Sequence, residues 1–189
     1  LTTLGARFVG VFASAAFAVG ELGREVGSVG AEFEKAITVL GAIQGEKLFD
    51  FDPNVGFDEA IAPLADAARE LGAATTFTAT EAAEAMQNLA RAGLGTGEII
   101  GSVGAALNFA GANATTLDKS TALLAATMAQ FNLTSRDSVR ITDTFTVALQ
   151  NSLLDVRSLT VAMRYAGTIG ASLGMSLEQT TAAVAMFRD

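Results

Sequence analysis

Apolar residues recur along the first quarter of this chain at alternating steps of four and three: Phe8, Phe12, Ala15, Val19, Leu22, Val26, Val29, Phe33, Ala36, Leu40, Ile43. The spacing is a heptad seam of about five repeats and predicts a long helix lying along another helix. Beside it, Ala13, Ala16, Gly20, Gly23, Gly27 and Gly30 keep the same rhythm with small side chains. Glycine inside a helix costs ~1 kcal/mol against alanine, and close approach of a neighbouring backbone is the physical reason available for such a row. Phe8, Phe12, Val19, Leu22, Val26, Val29 and Phe33, with Gly20, Gly23, Gly27 and Gly30, are the candidate self-association seam. The competing reading is a long core helix packed on its own chain. Residues 8–20 are apolar, but Arg7 and Glu21 bound a stretch short of the ~20 residues a membrane span needs. No cleavage signature follows it, so it does not read as a signal peptide.

The period breaks over residues 44–57, where Asp50-Phe51-Asp52-Pro53-Asn54 forms an acidic turn. Asp50, Asp52 and Asn54 match the first three ligand positions of a calcium loop. Val55 then stands where glycine is needed, and Ile61 where a bidentate glutamate is needed. Phe49, Phe51 and Phe57 read instead as anchors of the loop.

From Asp58 the helical period returns in short pieces. Leu64, Ala68 and Leu71 share one face, and Gly72 is placed to end that helix. Thr78 and Glu81 form a capping box before a helix with Met86 and Leu89 inside, stopped by Gly93. Thr96 caps the next, which buries Ile99 or Ile100, Val103, Leu107 and Ala110; Thr115 or Thr116 caps a third with Leu117, Leu124, Met128 and Phe131. Thr134 then caps a helix with Ile141, Phe145 and Leu149, Val156, Leu159 and Met163 line another, and Ser176 and Gln179 cap the last. No run of alternating β-branched residues predicts a strand.

The second half is written twice. Thr78-Ala79-Thr80-Glu81 recurs 56 positions later as Thr134-Ser135-Arg136-Asp137, and Phe109-Ala110-Gly111 recurs at the same offset as Tyr165-Ala166-Gly167. Thr116-Leu117-Asp118 returns as Ser176-Leu177-Glu178 at an offset of 60, which puts four extra residues within 168–175. The expected fold is all-α: a long amino-terminal heptad helix over residues 1–43, a linker over 44–57, and duplicated short-helix modules over 58–189. The two copies cover about 77–131 and 133–187.

Composition narrows the chemistry. The 189 residues include no His and no Cys, so neither His-based triads nor thiolate metal sites can be built from this chain alone. Twelve basic residues against twenty acidic ones leave a net charge of −8, without the basic stripe of a nucleic-acid binder. Glu81 and Glu84 read as first-turn residues that stabilise a helix start rather than as opposed catalytic carboxylates. Catalytic, cofactor and metal sites are expected to be absent. The chain starts at Leu1 without Met and stops in a helical pattern, and so reads as part of a longer protein.

The ordered elements over residues 64–187 resemble the core region of phage tail tape measure proteins. They are a helix ending in Leu71-Gly72, Thr75-Thr76-Phe77-Thr78-Ala79 before Glu81, the Leu89-Ala90-Arg91-Ala92-Gly93 turn, an aromatic-Ala-Gly element, and Leu173-Gly174-Met175-Ser176-Leu177-Glu178. Phe33-Glu34-Lys35-Ala36 resembles the helix that leads into that core, whereas residues 46–57 follow no pattern of the family. The resemblance implies a helical ruler that sets tail length, scaffolds the tail tube, and is released during genome ejection. Its implied partners are copies of itself (a homotrimer first, a hexamer second), tail tube and tail tip or baseplate proteins, and tail assembly chaperones. It also implies phage DNA passing without specific binding and contact with the host envelope at ejection. The implied location is the tail lumen or tip of the virion, and the host cytoplasm during assembly. The alternative is a helical scaffold or adaptor of a related contractile injection or secretion apparatus.

Overall fold

The computed structural model describes residues 30–49 and 55–187. The chain divides into two units, Leu1–Lys35 and Ala36–Asp189, and the second holds the core. Helix α1 covers residues 30–44 and runs into a 3-10 turn at Gly45–Phe49. There follow α2 (Phe57–Ala74), α3 (Ala79–Arg91), α4 (Thr96–Ala112) and α5 (Leu117–Phe131). A 3-10 turn at Ser135–Asp137 then leads to α6 (Ser138–Gln150), α7 (Val156–Ser172) and α8 (Leu177–Met186). No strand occurs among the described residues, and the fold is all-α as expected. The heptad pattern before residue 30 lies outside the described residues.

Local chemistry sets most helix ends. Thr78 Oγ1 accepts the Glu81 amide at 3.2 Å while Glu81 Oε2 accepts the Thr78 amide at 2.7 Å, which completes the predicted capping box. Ser176 and Gln179 make the same reciprocal pair at 3.2 and 2.9 Å. Left-handed residues stop the helices: Gly93 at φ +95° after α3, Ala114 at +47° after α4, Asn132 at +51° after α5, and Gly174 at +75° after α7.

Four local expectations are corrected or resolved. Gly72 does not end α2, which runs on to Ala74. A Cβ at Gly72 would sit 2.5 Å from the Ala79 amide nitrogen, so glycine serves the close approach of the α3 start. Gly95, not Thr96, caps α4, with its amide donating to Glu98 Oε2 at 3.0 Å; Thr96 is already helical and buried. Thr116 caps α5 through the Lys119 amide. Ile99 is buried and Ile100 is turned outward.

Packing follows the small residues. Ala82, Ala83, Ala85 and Ala106 have no exposed surface, so the backbones of α3 and α4 come close while Met86, Leu89, Ile99, Val103 and Leu107 fill the space beyond. Each such leucine removed from water contributes about 1.5–3 kcal/mol. Helices α3, α4 and α5 pack mutually, and α7 and α6 both pack on α8, although α6 stands off from α7. The two modules join where α6 lies on α4 and α7 lies on α5. The buried Ser120 hydroxyl reaches from α5 to the Ala106 carbonyl at 2.6 Å, so this polar group is satisfied across the α4–α5 contact.

The structure moves the four extra residues of the second copy. Helices α4 and α7 are both 17 residues long and start 60 positions apart. Their stops match at that offset: the Thr115 amide donates to the Ala110 carbonyl at 3.0 Å, and the Met175 amide to the Gly170 carbonyl at 2.9 Å. The insertion therefore precedes α7. Three residues form the 3-10 turn that Thr134 and Asp137 cap, and one lengthens the α6–α7 connection. A shift of four residues is close to one helical turn, so the aromatic-Ala-Gly match at offset 56 falls on nearly the same helix face one turn out of register. Phe109 is buried, whereas Tyr165 and Ile169, the latter at the position equivalent to Phe109, are both exposed, because among the described residues no helix covers that face of α7.

Candidate interaction surface

Of the predicted seam, Phe8, Phe12, Val19, Leu22, Val26, Val29, Gly20, Gly23 and Gly27 lie outside the described residues. Gly30 is exposed, with no atom within 4 Å of where a Cβ would stand, and Phe33 is buried. Further along the same heptad line, Leu40 has no exposed surface, and residues 36–49 are tied to α3 and its stop. Gln87 Nε2 donates to the Ala36 carbonyl at 2.9 Å, Gln44 Nε2 to the Leu94 carbonyl at 3.0 Å, and Lys47 Nζ to the Gly93 carbonyl at 2.5 Å. This end of the line is core of its own chain.

Several carboxylates serve the architecture. Glu81, Glu98 and Asp137 each accept a backbone amide at a helix start. Among the described residues no group of three or more His, Cys, Asp or Glu is placed to hold a metal ion. Asp50, Asp52 and Asn54 lie outside the described residues, while Ile61, at the last position of that motif, is a buried residue of α2. No described helix is long and apolar enough to cross a membrane.

Two equivalent grooves mark the modules. One, of about 860 Å³, lies between α6 and α8 and is lined by Val139, Val147, Ala182 and Met186 with Arg140 and Glu178. Its counterpart between α3 and α5 is lined by alanines with Asn88 and Asp118. In each, the acidic residue of the third helix meets a donor from the first: Asn88 Nδ2 donates to Asp118 Oδ1 at 2.7 Å, and Arg140 pairs with Glu178. Arg140 also holds Asp137 at 3.0 Å. The Thr134 amide, and then the Arg140 guanidinium, hold the Asp137 carboxyl below its ordinary range. A backbone hydrogen bond at its own helix start, with help from Ser176 and Arg140, does the same for Glu178. Both partners of the Arg140–Glu178 pair are 46% exposed, so water screens the bridge and it fixes geometry more than it adds stability.

A third surface was not read from the sequence. Val161, Tyr165, Ile169 and Leu173 form an exposed apolar line on α7. Their four-residue spacing was the available signal, but the same spacing serves a buried face equally well. The opposite face of α7 carries the buried Leu159, Met163, Gly167 and Gly170.

A duplicated helical module of this kind agrees with what the chain is similar to. It is similar to the tape measure protein of Pneumococcus phage Dp-1, 29% identical over 161 residues that make up 85% of this chain and 13% of that protein. It is also similar to the probable tape measure protein of Escherichia phage P2, 29% identical over 190 residues covering 100% of this chain and 22% of that protein. The chain thus spans less than a quarter of the length of either relative. No solved structure matches it. Residues 65–189, well over half of the chain and both modules, match the phage-related minor tail proteins. The chain belongs to the phage-related minor tail protein family, whose members are structural components of phage tails.

Proposed function

We propose that this chain is the compact helical part of a tape measure protein that sets tail length, scaffolds the tail tube and leaves during genome ejection. The observation that carries the reading is the duplicated module itself, whose polar residues cap helices and whose apolar residues pack them. An α-helix rises ~1.5 Å per residue, so extended helical stretches of such a protein convert chain length linearly into tube length. The described helices are short and folded on one another, which suits an assembly body at one place on the ruler. The role is structural rather than catalytic.

Self-association through residues 8–33 belongs to the same proposal, as a trimer first and a hexamer second. Tail tube, tail tip and chaperone proteins are its other proposed partners, with contact to the host envelope at ejection. Assembly takes place in the host cytoplasm. Gly23→Leu is expected to weaken the oligomer in sedimentation, and an unchanged oligomer argues against the seam. The net charge of −8 suits a lumen through which DNA slides, since like charges discourage sticking. Tight DNA binding in a low-salt gel shift contradicts that part.

The deciding experiment shortens or duplicates helical segments of the full-length protein and measures tails by electron microscopy. Tail length changing in proportion supports the ruler. Unchanged tails favour a helical adaptor of the tail or of a related injection apparatus.

A further inference from the structure

We infer that the bare apolar line of α7 is the seat of a further amphipathic helix of the α6 type, the opening helix of another copy of the same repeat unit. The inference rests on the shared register of α4 and α7. On α4, Gly101, Ala105, Phe109 and Asn113 stand in one line at four-residue steps, and α6 covers it in parallel orientation. The Ser138 hydroxyl donates to the Gly101 carbonyl at 3.2 Å, Phe145 meets Phe109 with ring centroids 6.4 Å apart, and Asn113 Nδ2 donates to Thr146 Oγ1 at 3.1 Å. Sixty positions on, the same line of α7 reads Val161, Tyr165, Ile169 and Leu173, exposed by 48, 66, 59 and 73%. Among the described residues nothing covers it.

The neighbouring helix repeats the situation. On α5, Gln130 reaches Thr168 of α7 at 3.3 Å, and Ala126 lines the same contact. The α8 residue equivalent to Ala126 is Met186, which is 79% exposed. Met186 thus stands bare at the α8 position where Ala126 of α5 meets α7.

A second folded copy of the chain does not supply the missing helix, because its own α6 already covers its own α4. A further repeat unit does. Val161 and Tyr165 replace Gly101 and Ala105, so the incoming helix must present small side chains to the second and third turns of α7. Opposite Ile169 it presents an apolar or aromatic side chain. Ser135 of the preceding 3-10 turn and Ser138 at the start of α6, which lie against Gly101, supply small side chains at the Val161 position, and Phe145 supplies the aromatic one.

The test titrates the 189-residue chain into a labelled peptide of residues 134–151, held helical by a covalent staple on its polar side so that ordering cost does not mask binding. Saturable binding is expected, weakened on the order of tenfold or more by Ile169→Asp and by Tyr165→Asp. Neither exposed substitution should move the thermal midpoint. Ala182→Asp, in the α6–α8 groove, should leave binding unchanged. Absence of saturable binding, or binding indifferent to both α7 substitutions, overturns the inference. So does a dimer of the chain in sedimentation that Ile169→Asp dissociates, since the line is then an interface between copies.

Discussion

Phe145 stands edge-on to Phe109, with ring centroids 6.4 Å apart and planes inclined at 68°. The contact joins the first helix of the second module to the middle helix of the first, and it is dry: the two rings are 1% and 3% exposed. Edge-to-face pairs add about 0.5–1.5 kcal/mol to the burial itself. Phe145→Ala is expected to destabilise the chain by about 3–5 kcal/mol in denaturant unfolding, through lost contacts and the cavity left behind. A change below about 1 kcal/mol contradicts a shared core between the modules.

Ala114 occupies the left-handed position that Gly174 fills in the second copy, at φ +47° against +75°. A side chain is strained there and glycine is not. Ala114→Gly is expected to stabilise by about 1 kcal/mol, visible as a raised thermal midpoint. Gly174→Ala should lower it by a similar amount.

Gly72 tests the opposite case. Helix propensity alone favours alanine there by ~1 kcal/mol, since the residue lies inside α2. The added Cβ would meet backbone atoms of Ala79 at 2.5 and 2.8 Å, which yield little. Overpacking of this kind costs about 1–3 kcal/mol, so Gly72→Ala is expected to be net destabilising in urea unfolding. A stabilised variant refutes the close approach.

Thr78→Ala removes one half of a capping box whose other half, Glu81, loses its hydroxyl partner. The expected loss is ~1 kcal/mol, with faster amide exchange in the first turn of α3 as its local sign. Thr78→Ser should restore most of it.

Asp137 and Glu178 both have folded pKa values below their ordinary 3.8 and 4.5. For such groups the stabilising contribution is present above the unfolded value and is lost as pH falls through the folded one. Stability is therefore expected to decline with acid below about pH 4, as protons bind the unfolded chain first. Arg140→Gln removes a cause common to both shifts, and its urea midpoint should vary less steeply with pH over that range. A slope identical to that of the parent excludes Arg140 from the linkage.

Much of this protein was legible one turn at a time. Hydroxyl caps, left-handed stops and the 3.6-residue period are local, so the all-α fold and the positions of Leu64, Met86, Leu89, Val103 and Phe145 in the core follow from short stretches of chain. The ordered motifs likewise pointed to phage tails. What the linear pattern mistook was register. A four-residue shift nearly preserves a helix face, so matching letters at Phe109 and Tyr165 concealed a displacement of one turn, and Gly72 looked like a stop although it marks a contact.

Tertiary structure alone decided which apolar line is covered. Val161, Tyr165, Ile169 and Leu173 have the spacing of a core face, and nothing local distinguishes them from Leu159 and Met163 behind them. Burial depends on which helix arrives from elsewhere in the chain, and only the packing of α6 on α4 shows that α7 presents the same line without its partner.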